Sequence, residues 1–278
     1  MAASAAIGGS TRLAGVIGWP VSHSRSPQMH NAAYAALGLD WAYVALPVPP
    51  ERLAEAVRGL PALGFAGVNV TIPHKQQVAG LCHELSPEAE RAGSVNTVII
   101  SDGARLHGDT TDGAGMLDAI GTPPATALVL GGGGAARAVV AALVDHGLDV
   151  AVSARRERAA VELAADLGCR VEPWPPRVAA GLVVNATPVG QSGDGAELPV
   201  DERLLEAVEV VCDLVYRADG AETGMIAAAR RRGLRAVDGL DVLVGQGARS
   251  FRLFTGAEPP LDAMRAAVRD GGACDNRV

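Results

Sequence analysis

A run of four glycines at residues 131–134 constrains the fold of this chain more than any other feature. It follows an apolar segment, Ala127–Leu130, and precedes a segment of helical periodicity that ends near Gly147. The pattern predicts a buried strand, a tight turn and a helix, because glycine tolerates tight turns and also ends helices. A second apolar strand follows at Val150–Ser153, and strands that alternate with helices form parallel sheets.

The same turn has the composition of a dinucleotide-binding site. Glycines let the backbone approach a pyrophosphate, and the helix N-terminus supplies free N–H groups and a partial positive charge. Gly131 and Gly133 match the first two glycines of the dinucleotide fingerprint, and Ala136 takes its small third position. Glycine runs also form ordinary tight turns, but the flanking strands and helix favour the dinucleotide site. The predicted cofactor turn is Gly131, Gly132, Gly133, Gly134, Ala135, Ala136 and Arg137.

The end of the following strand predicts which dinucleotide is bound. A carboxylate at this point would hold the ribose 2′-hydroxyl of NAD. The chain instead has a basic segment, Ser153, Ala154, Arg155, Arg156, Glu157 and Arg158. Guanidinium groups bind a 2′-phosphate through charge-assisted, bidentate hydrogen bonds. The alternative is a solvated basic helix start, but positive charge there opposes the helix dipole. We therefore predict NADP(H) as the cofactor.

Strands and helices alternate in two successive series, which predicts two α/β domains with a cleft between them. The first series has predicted strands at 13–17, 41–46, 68–71, 95–100 and 106–109, the last two as a hairpin-like pair. The second has predicted strands at 127–130, 150–153, 182–185, 210–215 and 235–237. Two final helices are predicted at 242–255 and 260–268, and periodicity alone does not assign them to either domain.

Composition excludes several functional classes. Of the 278 residues 49% are apolar and only 3% aromatic, so Ala, Val and Leu must fill a globular core. The net charge of −7 and the few aromatic rings argue against binding to nucleic acid or to an anionic membrane. No run of 18 apolar residues predicts a bilayer-spanning helix.

Cysteines and histidines are not spaced for a metal site or a disulfide framework, so we expect no metal, reduced thiols and a cytoplasmic protein. The four cysteines are Cys82, Cys169, Cys212 and Cys274. Residues 1–11 form an Ala/Gly/Ser-rich start, expected to fray and not to act as a signal peptide. The segments 191–197 and 271–278 are expected to be mobile.

Polar residues follow the predicted strands of the first series, where open α/β sheets bind ligands. Ser24 and Ser26 lie in the loop that opens the first helix, although Ser26 can equally be an N-cap. Alternation places Asn69 and Thr71 on one face at the end of the third strand. Lys75 comes just after them, although a lone lysine is typical of a solvated surface.

Of two further polar residues, Asn96 lies at the start of the next predicted strand, and Asp112 lies at the crossing between the two predicted domains. One lysine, one aspartate, two amides and several hydroxyls at loop ends predict a site for a polyol or hydroxy acid.

Taken together, these motifs resemble those of the shikimate dehydrogenase family from about Leu13 to Val268, nearly the whole chain. The motifs that carry the resemblance are 24–27, 69–75, 94–97, 108–113, the glycine turn through Arg137, 185–188 and 239–246.

The resemblance implies a role for each matching residue. Lys75 and Asp112 would be the catalytic pair, and the two final helices would return to the first domain. The implied substrate-binding residues are Ser24, Ser26, Asn69, Thr71, Asn96, Tyr216 and Gln246. Further implied cofactor-binding residues are Asn185, Ala186, Thr187 and Gly239. The implied substrate domain spans 12–111 and 240–278, and the Rossmann-like NADP-binding domain spans 112–239.

The implied reaction is reversible hydride transfer between NADPH and the C3 carbonyl of 3-dehydroshikimate, in the biosynthesis of chorismate and aromatic amino acids. We expect a monomer or a homodimer with a small-molecule substrate. One alternative is a dehydrogenase acting on quinate or an aminated analogue, and another is a catalytically silent NADP-binding sensor. The presence of both Lys75 and Asp112 counts against the sensor.

The chain departs from the family pattern at a few positions. Thr110 stands where relatives usually have Asn, which is expected to loosen a loop contact, and Gly132 replaces a usual Ala. Ala154 and Arg156 stand where many relatives have Asn and Thr. If the 2′-phosphate needs a second arginine besides Arg155, Arg156 or Arg158 must supply it.

Overall fold

The computed structural model describes residues 7–178, 180–192 and 196–270, without the side chain of Asp102. They form two compact units, residues 7–111 with 246–270 and residues 112–245. Each unit contains a six-stranded sheet, so the predicted α/β class with parallel-rich sheets is confirmed. Parts of the sequence-based predictions lie outside the described residues: 1–6 of the expected frayed start, 193–195 of the expected mobile loop, and 271–278 with Cys274.

The first unit is built on a mixed sheet. Its strands are β1 (Arg12–Gly18), β2 (Trp41–Pro47), β3 (Phe65–Val70), β4 (Glu84–Leu85), β5 (Thr97–Ser101) and β6 (Arg105–Asp109). Its helices are α1 (Ser26–Ala36), α2 (Leu53–Gly59), α3 (Lys75–Ala79) and α4 (Pro87–Ala92), with 3-10 turns at Pro50–Arg52 and Asp102–Ala104. The spatial order is β2-β1-β3-β5-β6-β4.

This strand order brings four chain segments to one edge of the sheet. Because β1 and β3 are parallel, they end at the same edge. Strand β5 is antiparallel to β3 and begins there, and β6 is antiparallel to β5 and ends there. Thr97 consequently pairs with Asn69 on one side and with Asp109 on the other. The polar segments that the sequence separates therefore meet in space.

The second unit is built on a fully parallel sheet. Its elements are α5 (Asp112–Ile120), β7 (Thr126–Leu130), α6 (Gly134–Asp145), β8 (Asp149–Ser153), α7 (Glu157–Leu167), β9 (Arg170–Val171), β10 (Leu182–Asn185), a 3-10 helix (Glu202–Ala207), β11 (Val210–Asp213), α8 (Gly224–Arg231) and β12 (Arg235–Val237). The spatial order is β12-β11-β10-β7-β8-β9. Counted from β7, this is the 3-2-1-4-5-6 order of a Rossmann sheet, whose direction of winding reverses between β7 and β10.

Two helices close the described chain, α9 (Gly239–Thr255) and α10 (Leu261–Asp270). Helix α10 packs on α1, and the buried Arg25 guanidinium donates to the main-chain oxygen of Val268. The start of α9 lies in the second unit, where a Cβ on Gly245 would approach the carbonyl oxygen of Gly115 to 2.3 Å. The second unit therefore extends six residues past the predicted boundary at residue 239, because α9 continues through it as one helix.

Four short elements were missing from the sequence-based prediction: β4, α4, β9 and the 3-10 helix at Glu202–Ala207. Two-residue strands carry no detectable period, and α4 begins at Pro87 inside a polar segment. Pairing with β6 and β8 creates β4 and β9. Tertiary contact, and not local pattern, therefore specifies these two strands.

Several of the few aromatic rings meet around His30 in the first unit. The His30 ring stacks on Tyr43 with ring centroids 4.3 Å apart, and Phe251 and Phe254 of α9 lie 6.2 Å away. Both ring nitrogens of His30 lack a hydrogen-bond partner within the described part of the chain. Burial lowers the pKa of His30 to about 3, so the folded chain holds it neutral near pH 7.

We expect this histidine to weaken the fold in acid. Between its ordinary pKa of 6.5 and about 3, the unfolded chain binds a proton that the folded chain does not. Stability is therefore lost as the pH falls below 6.5, by about 2 kcal/mol at pH 5. His30→Phe keeps a stacking ring without a titrating group, so the decrease in unfolding free energy between pH 7 and pH 5 should shrink by that amount. Chemical denaturation at both pH values measures it, and an unchanged decrease would contradict the assignment.

Candidate active site

The serine loop, Val21–Ser26, joins the end of β1 to α1. Ser24 is half-buried and Ser26 is buried. Helix α1 begins at Ser26, the N-cap position is Arg25, and no side chain of the N-cap residue bonds to the helix. The Ser24 hydroxyl instead accepts from the Ser26 N–H at 3.3 Å. The alternative reading of Ser26 as an N-cap is therefore wrong, because Ser26 is already helical.

The segment after β3 lies against the end of β1, which leads into this loop. A Cβ on Gly18, at the end of β1, would approach Cγ2 of Thr71 to 2.4 Å, and the Thr71 N–H donates to Ile17. Only glycine therefore allows the two strand ends to come this close. The Ile72–Pro73 peptide bond is cis, and α3 then begins at Lys75.

Two asparagines link the strand ends in a buried network. The Asn69 amide donates to the main-chain oxygen of Asn96 at 3.2 Å, and its carbonyl accepts from Tyr43. The side-chain carbonyl of Asn96 accepts from the Thr111 N–H at 2.8 Å. The side-chain amide nitrogen of Asn96 faces the side-chain carbonyl of Gln246 at 3.4 Å. Of the residues predicted to bind substrate, Asn69, Asn96 and Gln246 are thus brought together in the first unit.

Lys75 is half-buried at the start of α3, and its main-chain oxygen accepts from Val95, next to Asn96. It is also the only lysine in the sequence, while the remaining basic residues of the Lys and Arg total are 23 arginines. A lysine amine can release a proton, whereas a guanidinium cannot do so in proteins. This count is a sequence signal that singles out position 75 as a candidate for proton transfer. Asp112 follows Thr111 directly, opens α5 and is buried.

The glycine turn lies at the point where the second sheet reverses its direction of winding, which is where open α/β sheets bind ligands. Gly131 has a φ of +121°, and a Cβ there would lie 2.8 Å from the carbonyl oxygen of Ala186, which follows β10. A Cβ on Gly133 would meet nothing within 4 Å, so space is open above the turn. Helix α6 begins at Gly134 without a side-chain cap, which leaves its first N–H groups available for an anion.

Beside this turn, a buried carboxylate holds the segment 185–189. Asp213 accepts from the Asn185 amide at 2.9 Å, from the Val215 N–H at 3.0 Å and from the Thr223 hydroxyl at 2.6 Å. The Asn185 carbonyl in turn accepts from the N–H and hydroxyl of Thr187. Burial raises the pKa of Asp213 to about 6, while these donors lower it.

The arginines after β8 differ in their surroundings. Arg158 is exposed and pairs with Glu162 at 2.7 Å along α7. Arg155 and Arg156 are exposed and form no ion pair with any described residue. Arg137, on α6, pairs with Asp166 at 2.8 Å. Arg156 is therefore a better candidate than Arg158 for a second arginine at a 2′-phosphate.

Other predicted site residues have structural contacts of their own. The Ser153 hydroxyl donates to Pro173, and Ala154 packs near Gly132. Tyr216 is half-buried beyond the end of β11. A Cβ on Gly239 would approach the carbonyl oxygen of Val215 to 2.3 Å, so this glycine lets α9 start against that segment. The hydroxyl of Thr110 is buried and has no hydrogen-bond partner among the described residues.

Sequence reasoning missed Asp213, Thr223 and Tyr43, and it gave no role to Thr111, which it placed only within the 108–113 motif. Each lies inside or beside an apolar strand or at a helix start, where single residues carry no pattern. Within the described ranges, three or more potential ligands never cluster as a metal site would require. In that same part of the chain, no helix combines the length and apolarity needed to cross a membrane.

Known protein families and solved structures are similar to this chain in sequence and in arrangement. Residues 16–98 match a family described as the shikimate dehydrogenase substrate binding domain, and residues 239–269 match the shikimate 5'-dehydrogenase C-terminal domain. The NADP(+) shikimate dehydrogenase of Rubrobacter xylanophilus is 47% identical, and the match covers 96% of this chain and 98% of that protein.

Two solved structures are similar over their whole length. A shikimate dehydrogenase in complex with NADP+ has a TM-score of 0.88 at 33% identity, over 98% of this chain and 99% of that one. The shikimate 5-dehydrogenase of Thermus thermophilus in complex with NADP(H) and shikimate has a TM-score of 0.86 at 40% identity, over 94% and 99%. By sequence and by structure, this chain belongs to the shikimate dehydrogenase family.

Proposed function

We propose that this protein is an NADPH-dependent dehydrogenase that reversibly reduces 3-dehydroshikimate to shikimate. The observation that carries the proposal is the polar edge of the first sheet, where Asn69, Asn96 and Gln246 join one network beside Lys75. Relatives at 47% and 46% identity over most of the chain are NADP(+) shikimate dehydrogenases. We also propose a cytoplasmic protein, since Cys82, Cys169 and Cys212 are free thiols, and a monomer or a homodimer.

The second unit fits a dinucleotide with a 2′-phosphate. The glycine turn is open at Gly133, the N-terminus of α6 is uncapped, and Arg155 and Arg156 follow β8 without a paired carboxylate. We propose that the turn holds the diphosphate, and that these two arginines hold the 2′-phosphate. When bound, NADPH supplies the hydride.

The chain's own residues manage binding and the proton. We propose that Ser24 and Ser26 hold the substrate carboxylate, because their loop ends at the N-terminus of α1. Thr71, Asn96, Gln246 and Tyr216 would hold the ring hydroxyls. Lys75 would stabilise the negative charge that develops on the carbonyl oxygen and exchange a proton there, with Asp112 as its catalytic partner.

One assay tests this proposal and its alternatives. NADPH oxidation is followed with 3-dehydroshikimate, and the reverse reaction with shikimate or quinate under NADP+ or NAD+. Turnover with 3-dehydroshikimate and NADPH is expected. Absence of any turnover would favour a silent NADP-binding sensor, and higher efficiency with quinate would reassign the substrate.

We expect at least a tenfold preference for shikimate over quinate in kcat/KM, which requires only about 1.4 kcal/mol. The two substrates differ at the carboxylate-bearing carbon, which the serine loop would hold. Ser26→Thr adds a methyl group at a buried position and restricts the hydroxyl rotamer, so it should narrow the gap mainly by harming shikimate. Measuring both efficiencies for the wild type and the variant checks this. Unchanged efficiencies in Ser26→Thr would remove Ser26 from the site.

A further inference from the structure

A chain of buried hydrogen bonds runs from Tyr43 on β2 to Asn96 at the start of β5. Tyr43 donates from its hydroxyl to the Asn69 carbonyl at 2.7 Å. The Asn69 amide donates to the Thr97 hydroxyl at 3.1 Å, and that hydroxyl donates to the Asn96 carbonyl at 2.9 Å. All four residues are at least 95% buried. We call Tyr43, Asn69, Thr97 and Asn96 the relay.

The direction of every bond in the relay is determined by a main-chain group. The Asn69 amide nitrogen faces the main-chain oxygen of Asn96, which can only accept, so the Asn69 oxygen must face Tyr43. The side-chain oxygen of Asn96 faces the Thr111 N–H, which can only donate. Its amide nitrogen therefore faces the Thr111 hydroxyl at 3.0 Å and the Gln246 carbonyl at 3.4 Å.

The relay has a firm starting point. Both main-chain groups of Tyr43 bond to the side chain of Asn31 on α1, at 2.9 and 2.8 Å. The Tyr43 ring stacks on His30 with planes 3° apart. A donor held this rigidly can keep the amides beyond it in the orientation that the main-chain groups select, since hydrogen bonds in a buried chain strengthen one another.

We propose that Tyr43 is a positioning residue for substrate binding: through Asn69 and Thr97 it holds the Asn96 amide firmly in the orientation that the Thr111 N–H selects, and so keeps the Gln246 carbonyl turned toward Asn96. Gln246 then directs its amide group away from Asn96, as a donor for a substrate oxygen. This rests on the proposed function, in which Asn96 and Gln246 bind shikimate.

Tyr43→Phe tests the relay, and Tyr34→Phe is a matched control. Tyr34 is equally buried beside His30, but its hydroxyl has no partner among the described residues. Both variants remove one buried hydroxyl. We expect Tyr43→Phe to weaken shikimate binding about five- to tenfold, the effect of losing one buried hydrogen bond. Tyr34→Phe should change it less than twofold. Affinity for NADP+ should be unchanged in both, since its proposed site lies in the other unit.

A second pair of variants enters the relay at its middle. Thr97→Val removes the hydroxyl at nearly constant volume, and Thr97→Ser retains it. Thr97→Val should weaken shikimate binding at least as much as Tyr43→Phe, and Thr97→Ser should restore most of the affinity. In the double variant Tyr43→Phe/Thr97→Val the losses should not add, because both changes interrupt one chain.

Calorimetric titration of each variant with shikimate and with NADP+, together with its thermal midpoint, gives the result. Equal shikimate affinity in Tyr43→Phe and Tyr34→Phe, or additive losses in the double variant, would overturn the relay. If shikimate affinity falls only in proportion to the thermal midpoint and NADP+ affinity falls with it, the role is structural and the proposal is wrong. A wild type that binds no shikimate would instead defeat the proposed function.

Discussion

Replacing Lys75 with Ala is expected to lower kcat roughly a hundredfold or more, since positioned acid–base groups contribute about 10²–10⁴. Shikimate affinity should fall much less, because Lys75 acts on charge that develops only in the transition state. Lys75→Arg should be nearly as inactive, because a guanidinium keeps the positive charge but does not release a proton. Steady-state kinetics and titration calorimetry separate these effects. If Lys75→Ala kept an activity within a few fold of that of the wild type, Lys75 would be an ordinary solvated lysine and not a catalytic residue.

The unusual composition of the chain provides an independent test. Because Lys75 is the only lysine, an amine-directed reagent such as acetic anhydride has one side-chain amine target besides the N-terminal amine. Loss of activity should follow acetylation of Lys75, measured by peptide mass spectrometry, and bound shikimate should slow both. A time course by mass spectrometry that follows the two amines separately controls for the N-terminal amine, because activity should fall with acetylation of Lys75 and not with acetylation of the N-terminus. Full activity with Lys75 acetylated would contradict a catalytic role.

Arg155→Ala is expected to raise the KM for NADP+ about tenfold to a hundredfold with little change in kcat. A charge-assisted hydrogen-bonded pair with a phosphate contributes about 1.5–3 kcal/mol. The KM for NAD+, which lacks the 2′-phosphate, should stay nearly constant, so the preference for NADP+ should collapse. Kinetics with both cofactors measure this preference directly.

Three arginines of the same unit serve as comparisons. Arg156→Ala should have a smaller effect of the same kind, because Arg156 is exposed and unpaired among the described residues. Arg158→Ala should raise the KM for NADP+ still less, since Arg158 pairs with Glu162. Arg170→Ala should leave the KM for NADP+ unchanged, because Arg170 pairs with Asp149. Equal wild-type efficiency with NAD+ and NADP+ would rule out a 2′-phosphate site at these arginines. If Arg158→Ala had the largest effect, Arg158 and not Arg155 would be the main residue that holds the 2′-phosphate.

Local sequence was sufficient for the elements with strong periodicity. The glycine turn predicted β7, α6 and their connection, because only glycine fits the close approach of Gly131 to Ala186. Alternating apolar segments predicted the five longer strands of each sheet to within a few residues. Very short elements escaped, since β4 and β9 exist only through pairing with β6 and β8.

The candidate site likewise contains some residues that the local sequence pattern revealed and others that it did not. Lys75, Asn96 and the serine loop stood out because polar residues at strand ends break an apolar pattern. Asp213 and Tyr43 gave no such signal, because each lies within a strand and the side chains that it bonds to are 10 to 28 residues away in sequence. Which polar residues of a strand are structural and which face a ligand depends on contacts that the sequence does not contain.

Residue identity alone was enough to predict two α/β domains, a dinucleotide turn and a catalytic amine at position 75, since each prediction depends on local backbone freedom or on the chemistry of one side chain. Residue identity did not predict the spatial order of the strands. The reversal between β7 and β10 set the glycine turn beside Asn185, and the antiparallel β5 carried Asn96 back to the end of β3. Hydrogen bonds between residues far apart in sequence form only after the sheet has assembled, so tertiary structure alone decided that Asn69, Asn96 and Gln246 form one network.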